Sequence, residues 1–269
     1  MLICIALPII SMSQEIKFVS NSRNVLGQSK DKSASISAGD IDNDGDLDLI
    51  VANGRHWPES NKIFINNGYG KFTVSKLLDQ IEETSYATEL ADFDNDGDLD
   101  IAVGNDMAPN AIYLNDGKGN FSRSVESLLQ EGDISGSKIA TADFDNDGDL
   151  DVFVGGRHKP HQYPLPTSSK ILLNENGKLK DVTDTVAPEL TNIGMVTDVV
   201  WTYFDNDSDL DLMLVGEWMA ITVFKNENGK FVNTNIKGLE QTVGWWFSIE
   251  QADFDNDGDM DYMLGNLGL

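Results

Sequence analysis

The sequence predicts an all-β chain folded as a β-propeller of four-stranded antiparallel blades, on three observations. A nine-residue motif, D-x-D-x-D-G-x-x-D, occurs five times, at 40–48, 92–100, 143–151, 203–211 and 253–261. The copies begin 52, 51, 60 and 50 residues apart, a period at which each unit is one supersecondary element unable to bury its apolar face alone. No stretch carries a sustained 3.6-residue apolar period, whereas short β-branched runs bounded by Gly and Asn flank every copy.

Each unit reads as four strands. A mixed strand precedes the motif, at 33–39, 85–91, 137–142, 196–202 and 246–252. A nearly continuous apolar run follows it, at 47–52, 99–103, 150–154, 210–215 and 260–264, as expected of a buried strand. The third strand lies at 62–66, 111–115, 170–174 and 221–226. Glycine-containing turns then open the fourth strand at Phe72, Phe121, Leu179 and Phe231, because Gly and Asn tolerate the positive φ of a tight connection. Four antiparallel strands in about fifty residues make a propeller blade. Counted from Ser33, the chain holds four full blades and the first two strands of a fifth, and residues 16–20 read as the fourth strand of a neighbouring blade. The expectation is an incomplete ring from a larger propeller and a longer chain, with five-bladed closure as the alternative.

Charge narrows the function classes. The five motifs hold 24 aspartates, so a formal net charge of −26 shrinks to about −2 outside them. The acidity is local, which argues against a disordered acidic tail, and no basic patch tracks a phosphate backbone, so nucleic acid is not an expected partner. The single cysteine, Cys4, sits in the apolar start 2–10, too short to span a bilayer. We read 1–13 as a secretory signal without a basic n-region, cleaved after Ser11-Met-Ser13, and 14–269 as the repeat domain. A secreted or cell-surface protein follows. Its mature form has no cysteine, leaving metal rather than disulfide to staple it.

The motif itself carries chemistry. Carboxylates at alternate residues repel one another unless a cation sits among them, and a hard cation taking six to eight oxygens fits best. Positions 1, 3, 5 and 9 supply carboxylates and position 7 its carbonyl, while Gly at position 6 permits the sharp turn. The expected calcium ligands are Asp40, Asp42, Asp44, Asp46 and Asp48 in the first copy, and Asp92, Asp94, Asp96, Asp98 and Asp100 in the second. Asp143, Asp145, Asp147, Asp149 and Asp151 form the third set, and Asp253, Asp255, Asp257, Asp259 and Asp261 the fifth. The fourth set keeps Asp205, Asp207, Asp209 and Asp211 but has Tyr203 at position 1 and Ser208 at position 6. Four to five calcium ions are expected, the fourth loop binding most weakly, and their role is that of staples rather than catalysts.

The loop after each second strand lies at the other end of its blade. There the sequence places Arg55, His56 and Trp57, then Asp106 and Met107, then Arg157, His158, His161 and Tyr163, then Glu217 and Trp218. All three histidines fall in these loops. On a propeller they gather around the central channel, which makes that face the expected ligand site. Trp245 and Trp246 are expected in the core.

The repeated D-x-D-x-D-G-x-x-D, the apolar strand after it and the N-x-G-K-F turn together resemble FG-GAP/VCBS repeats, which build integrin α-subunit-like propellers. The segments 215–224 (VGEWMAITVF) and 244–247 (GWWF) are similar to bacterial VCBS proteins related to cartilage acidic protein. The resemblance covers 33–269 and implies a secreted or surface propeller with calcium on one face; the ASPIC/UnbV segment that often follows such repeats is not in this sequence. It leads us to expect a non-catalytic scaffold for adhesion or protein binding at the face opposite the calcium loops. A carbohydrate-binding module, with Trp57, Tyr163 and Trp218 stacking on sugar rings, is one alternative. A polysaccharide lyase or hydrolase using His158 and Glu217 is the other.

Overall fold

The computed structural model describes residues 30–124, 135–205 and 207–268. The expected signal segment 1–13 and strand 16–20 lie outside them.

The described chain is all-β. The first blade runs β1 (Ser33–Gly39), β2 (Asp48–Asn53), β3 (Lys62–Asn66) and β4 (Phe72–Leu77). The second runs β5 (Thr84–Ala91), β6 (Asp100–Asp106), β7 (Ala111–Asn115) and β8 (Phe121–Arg123). The third runs β9 (Gly136–Ala142), β10 (Asp151–Gly156), β11 (Lys170–Asn174) and β12 (Leu179–Asp181). The fourth runs β13 (Met195–Thr202), β14 (Asp211–Met219), β15 (Thr222–Asn226) and β16 (Phe231–Thr234), followed by the pair β17 (Gly244–Ala252) and β18 (Asp261–Asn266). Within each blade the strands pair antiparallel in chain order. Within the described residues the expected strands stand, most within a residue or two of their ends; β6 runs on to Asp106 and β14 to Met219, past the expected 103 and 215.

Three features differ from the expectation. A turn of α-helix, α1 (Thr183–Val186), and a 3-10 turn at Pro188–Asn192 follow the third blade. The short TDTVAPELTN segment is too brief to show a helical period, and the extra length between the third and fourth motifs lies instead in the β10–β11 loop, 157–169, against 107–110 in the second blade. Second, β14 continues past its blade and pairs with β17 at Glu217↔Trp245 and Met219↔Gly244. Glu217 and Trp218 are thus strand residues, not loop residues. Third, each innermost strand is bulged near its start: the register against the second strand skips Ala34, Tyr86, Ser137, Thr197 and Phe247. A bulge re-aims the side chain it frees.

The core lies between blades. Ile41 packs with Ile101 and Tyr113 of the second blade, Phe93 with Val152 and Leu172 of the third, and Phe144 with Leu212 and Phe224 of the fourth. These three residues hold position 2 of their motifs, so each aspartate loop drives an apolar wedge under the next blade. Phe254 holds the same position in the fifth loop and is 54% exposed.

Candidate functional site

The aspartate loops form tight, self-bonded clasps. In the first, the Asp40 carboxylate accepts the backbone N–H groups of Asp44 and Gly45 at 3.1 and 2.9 Å. Asp44 accepts the N–H of Asp46 at 3.0 Å. Asp48, fully buried, accepts Ile41 N–H at 3.2 Å and Asn66 N–H at 2.7 Å, tying the loop to the end of β3. The same bonds recur at Asp92, Asp96 and Asp100 and at Asp143, Asp147 and Asp151. The loop turns through two left-handed residues. Gly45 (φ 93°) is the expected one, and Asn43 (φ 59°) is the other, with Asn95, Asn146 and Asn256 in equivalent places.

These bonds leave oxygens converging. Carboxylate oxygens of Asp40, Asp42 and Asp48 lie within 4.8 Å of one another, as do those of Asp92, Asp94 and Asp96, of Asp143, Asp145 and Asp151, and of Asp253, Asp255 and Asp261. Asp42 Oδ1 is buried without a hydrogen-bond partner, so a cation could take it as a ligand. Burial, then the neighbouring carboxylates Asp44 and Asp40, pushes the Asp42 carboxyl up, and burial followed by Asp96 and by Asp147 does the same to Asp94 and Asp145. Burial pushes Asp100 up to about 6 and Asp151 to about 7. A bound cation would reverse all of these shifts. The donor set is all oxygen, so several loops are able to hold a hard metal ion. No histidine joins any such group among the described residues, and the position-7 side chains do other work. Asp98 accepts Asn43 Nδ2 at 2.8 Å and Asp149 accepts Asn95 Nδ2 at 2.5 Å, each bond crossing to the preceding blade.

The fourth loop is different. Tyr203 cannot cap the loop backbone, Ser208 is held at φ 78°, and Lys225 Nζ sits 2.8 Å from Asp205 Oδ2. The Lys225 hydrogen bond is the main cause that holds the Asp205 carboxyl below its ordinary range, the opposite of Asp42, Asp94 and Asp145.

At the other end of the blades, the five bulged residues Ala34, Tyr86, Ser137, Thr197 and Phe247 line a central pocket of 170 Å³ together with Arg55 and Arg157. The expected ligand-face residues gather around it in two groups. In the first, Arg55 lies over the Tyr86 ring at 5.9 Å, and the Tyr86 hydroxyl is 3.2 Å from His56 Nδ1. Trp57 beside them is 64% exposed, with Lys32 5.9 Å from its ring centre.

In the second group, Arg157 Nε donates to Glu217 Oε1 at 2.7 Å and the Tyr163 hydroxyl donates to Oε2 at 2.8 Å. Trp218 is 60% exposed at φ 60°, an unusual backbone for so large a side chain. It stacks on Trp245 at 5.4 Å, and Trp245 leans on Phe247 at 5.9 Å. Of the two tryptophans expected in the core, Trp246 packs there and Trp245 joins this ladder instead. His158 meets Tyr163 edge-on at 5.9 Å, and burial lowers its pKa. No hydrogen bond joins His158 to Glu217 among the described residues; both Glu217 oxygens belong to Arg157 and Tyr163. The two histidines His56 and His158 serve separate tyrosines.

Blades wedged together through aspartate loops, around a channel lined by bulged residues, define a propeller-type repeat protein. The chain belongs to the FG-GAP-like repeat family, whose pattern matches 40–103, 92–154 and 203–264. It is 31% identical over 198 residues to human cartilage acidic protein 1, covering 68% of this chain and 28% of that one. The Xenopus tropicalis counterpart is 30% identical over 234 residues, covering 81% of this chain and 35% of that one. The chain thus spans about a third of the length of these curated relatives. The Vibrio cholerae biofilm matrix protein Bap1 superimposes with a TM-score of 0.49 at 17% identity, over 87% of this chain and 35% of that one. No described helix is long and apolar enough to cross a membrane.

Proposed function

We propose that this chain is a non-catalytic, calcium-stabilised extracellular propeller that binds a protein partner through the face opposite the aspartate loops. The observation that carries the reading is the division of labour along each blade. One end is a set of carboxylate clasps whose oxygens converge within 4.8 Å. The other presents Trp57, Tyr163 and Trp218, exposed, around two arginines. Trp, Tyr and Arg are the residues that dominate protein–protein hot spots.

Calcium is favoured over magnesium because the donor set is irregular and entirely oxygen. An extracellular setting supplies the millimolar calcium that modest loops need, and it agrees with the apolar start at 2–10. The aromatic ladder from Trp218 to Phe247 also supports carbohydrate stacking as a second reading. Catalysis has less support, since Glu217 is committed to Arg157 and Tyr163.

The test is a binding screen in calcium against a panel of matrix proteins and a glycan array, using wild type, Trp218→Ala and Tyr69→Ala. Tyr69 is exposed in the β3–β4 turn at the opposite end. Protein binding lost in Trp218→Ala and kept in Tyr69→Ala supports the reading. Glycan binding alone would favour the carbohydrate module, and loss in Tyr69→Ala alone would put the site at the wrong end.

A further inference from the structure

The central pocket states a preference for charge. None of its lining residues is acidic, and the Asp106 carboxylate acts on Tyr86 from outside the lining. Two of its hydroxyls are already spent on the next blade: Ser137 Oγ donates to Val196 O at 2.6 Å and Thr197 Oγ1 to Trp246 O at 2.9 Å. The two guanidinium groups are its cationic donors. Arg157 gives Nε and Nη2 to Glu217. Arg55 is exposed and makes no ion pair among the described residues. A guanidinium fork matches a carboxylate in two parallel hydrogen bonds.

We propose that this channel mouth is a carboxylate-binding site anchored by Arg55, and that its occupant is an aspartate or glutamate side chain of the protein partner. The inference rests on the opposite face being the binding surface. The aspartate loops do not oppose an acidic ligand there. A six-residue strand such as β2 separates the two ends, about 20 Å of chain, against a Debye length of about 8 Å at physiological salt.

The test is fluorescence polarisation in excess calcium with labelled hexaglutamate, hexalysine and oligogalacturonate. Hexaglutamate should bind wild type in a salt-sensitive manner, weaken at least tenfold in Arg55→Gln, and be unaffected by Tyr69→Ala. Equal binding to Arg55→Gln, or no binding of hexaglutamate, overturns the proposal. Arg55-dependent binding of oligogalacturonate alone overturns the assignment to a peptide. If Trp218→Ala abolishes protein binding while hexaglutamate shows no Arg55 dependence, the face stands and the carboxylate anchor falls; if Trp218→Ala leaves protein binding intact, the face itself falls.

The fourth aspartate loop carries a second, independent inference. Where the first three blades place Ile65, Leu114 and Leu173 one residue before the strand-ending asparagine, the fourth places Lys225. It does so in the one copy that lacks the first aspartate and the turn glycine, and the one complete in the chain that forms no converging carboxylate trio among the described residues. Residue types that change together within one chain's own repeats point to a shared cause.

We infer that the Lys225 ammonium replaces the metal ion of the fourth loop. It holds Asp205 at 2.8 Å from a strand that the loop already abuts, so this clasp closes without metal. Metal counting by mass spectrometry after dialysis tests this on wild type and on the triple variant Tyr203→Asp, Ser208→Gly, Lys225→Leu. The triple variant should hold one ion more than wild type. The single variant Lys225→Leu should melt a few degrees lower in saturating calcium. Equal ion counts in wild type and triple variant, or an unchanged melting temperature in Lys225→Leu, overturns the inference.

Discussion

Asn115 Nδ2 donates to the carbonyl oxygen of Ile41 at 2.8 Å, joining the second blade to the first at the residue beside Asp40. The same amide donates to Leu99 O at 3.0 Å, while Asp100 accepts the Asn115 backbone N–H at 2.8 Å. Asn174 bonds Phe93 O at 3.0 Å and Asn226 bonds Phe144 O at 2.9 Å, so the contact repeats at every following joint of the full blades. In the second, third and fourth blades one asparagine thus reads the shape of the preceding aspartate loop.

Asn115→Ala should therefore destabilise the protein by about 2 kcal/mol, since one buried and one half-buried carbonyl lose their donor. Among the described residues the Asn66 side chain bonds only Leu47 O, in its own blade, and Asn66→Ala should cost about half as much or less. Urea unfolding of the two variants measures the difference.

Glu217 is buried and balanced by Arg157 and Tyr163. Glu217→Ala leaves the Arg157 guanidinium without its counter-charge and should cost about 3 kcal/mol. Glu217→Gln keeps acceptor and donor atoms in place and should cost clearly less. Equal losses in the two variants by chemical denaturation would mean that charge is not what Glu217 contributes.

Ser208 at φ 78° occupies the place of Gly45, Gly97, Gly148 and Gly258, whose φ values run from 93° to 98°. A left-handed backbone costs a residue with a Cβ about 1 kcal/mol or more. Ser208→Gly should raise the unfolding midpoint accordingly, and Ser208→Ala should not.

In chelator the loops should show an inverted pH response. Asp100 holds its proton up to about 6 and Asp151 up to about 7 in the fold, whereas an unfolded aspartate releases its proton near 3.9. Between those values the folded state binds more protons, so the contribution of these two groups to stability is fully present below about pH 4 and is lost as pH rises through 6 and 7. Metal-free protein should then melt lower at pH 8 than at pH 5, and calcium should flatten that slope. Melting curves in EDTA and in calcium at the two pH values check the sign.

Much of the fold was legible because the repeat supplies its own comparison. The first three strands of each blade follow from short apolar or mixed runs between turns, the fourth from the glycine-containing turn that opens it, and the aspartate loops from spacing alone. The bulges at Ala34, Tyr86, Ser137, Thr197 and Phe247 were not, because a skipped residue leaves no mark in a mixed polar–apolar strand. They matter most for the site, since they build its channel. Trp218 and Glu217 read as loop residues in the sequence because β14 continues past the length of its counterparts. Lys225 was open to view: comparing it with Ile65, Leu114 and Leu173 reveals the substitution, but its meaning needed the distance to Asp205. The reach of Asn115 to Ile41 depends on blade-to-blade geometry that no single repeat contains.

If the aspartate loops are metal clasps, removing the metal loosens the joints between blades. Calorimetric melting of the whole chain in millimolar calcium and after exhaustive EDTA treatment tests it most directly. A clearly lower melting temperature in EDTA, restored by adding calcium back, is the expected result. A melting temperature that does not change would contradict it.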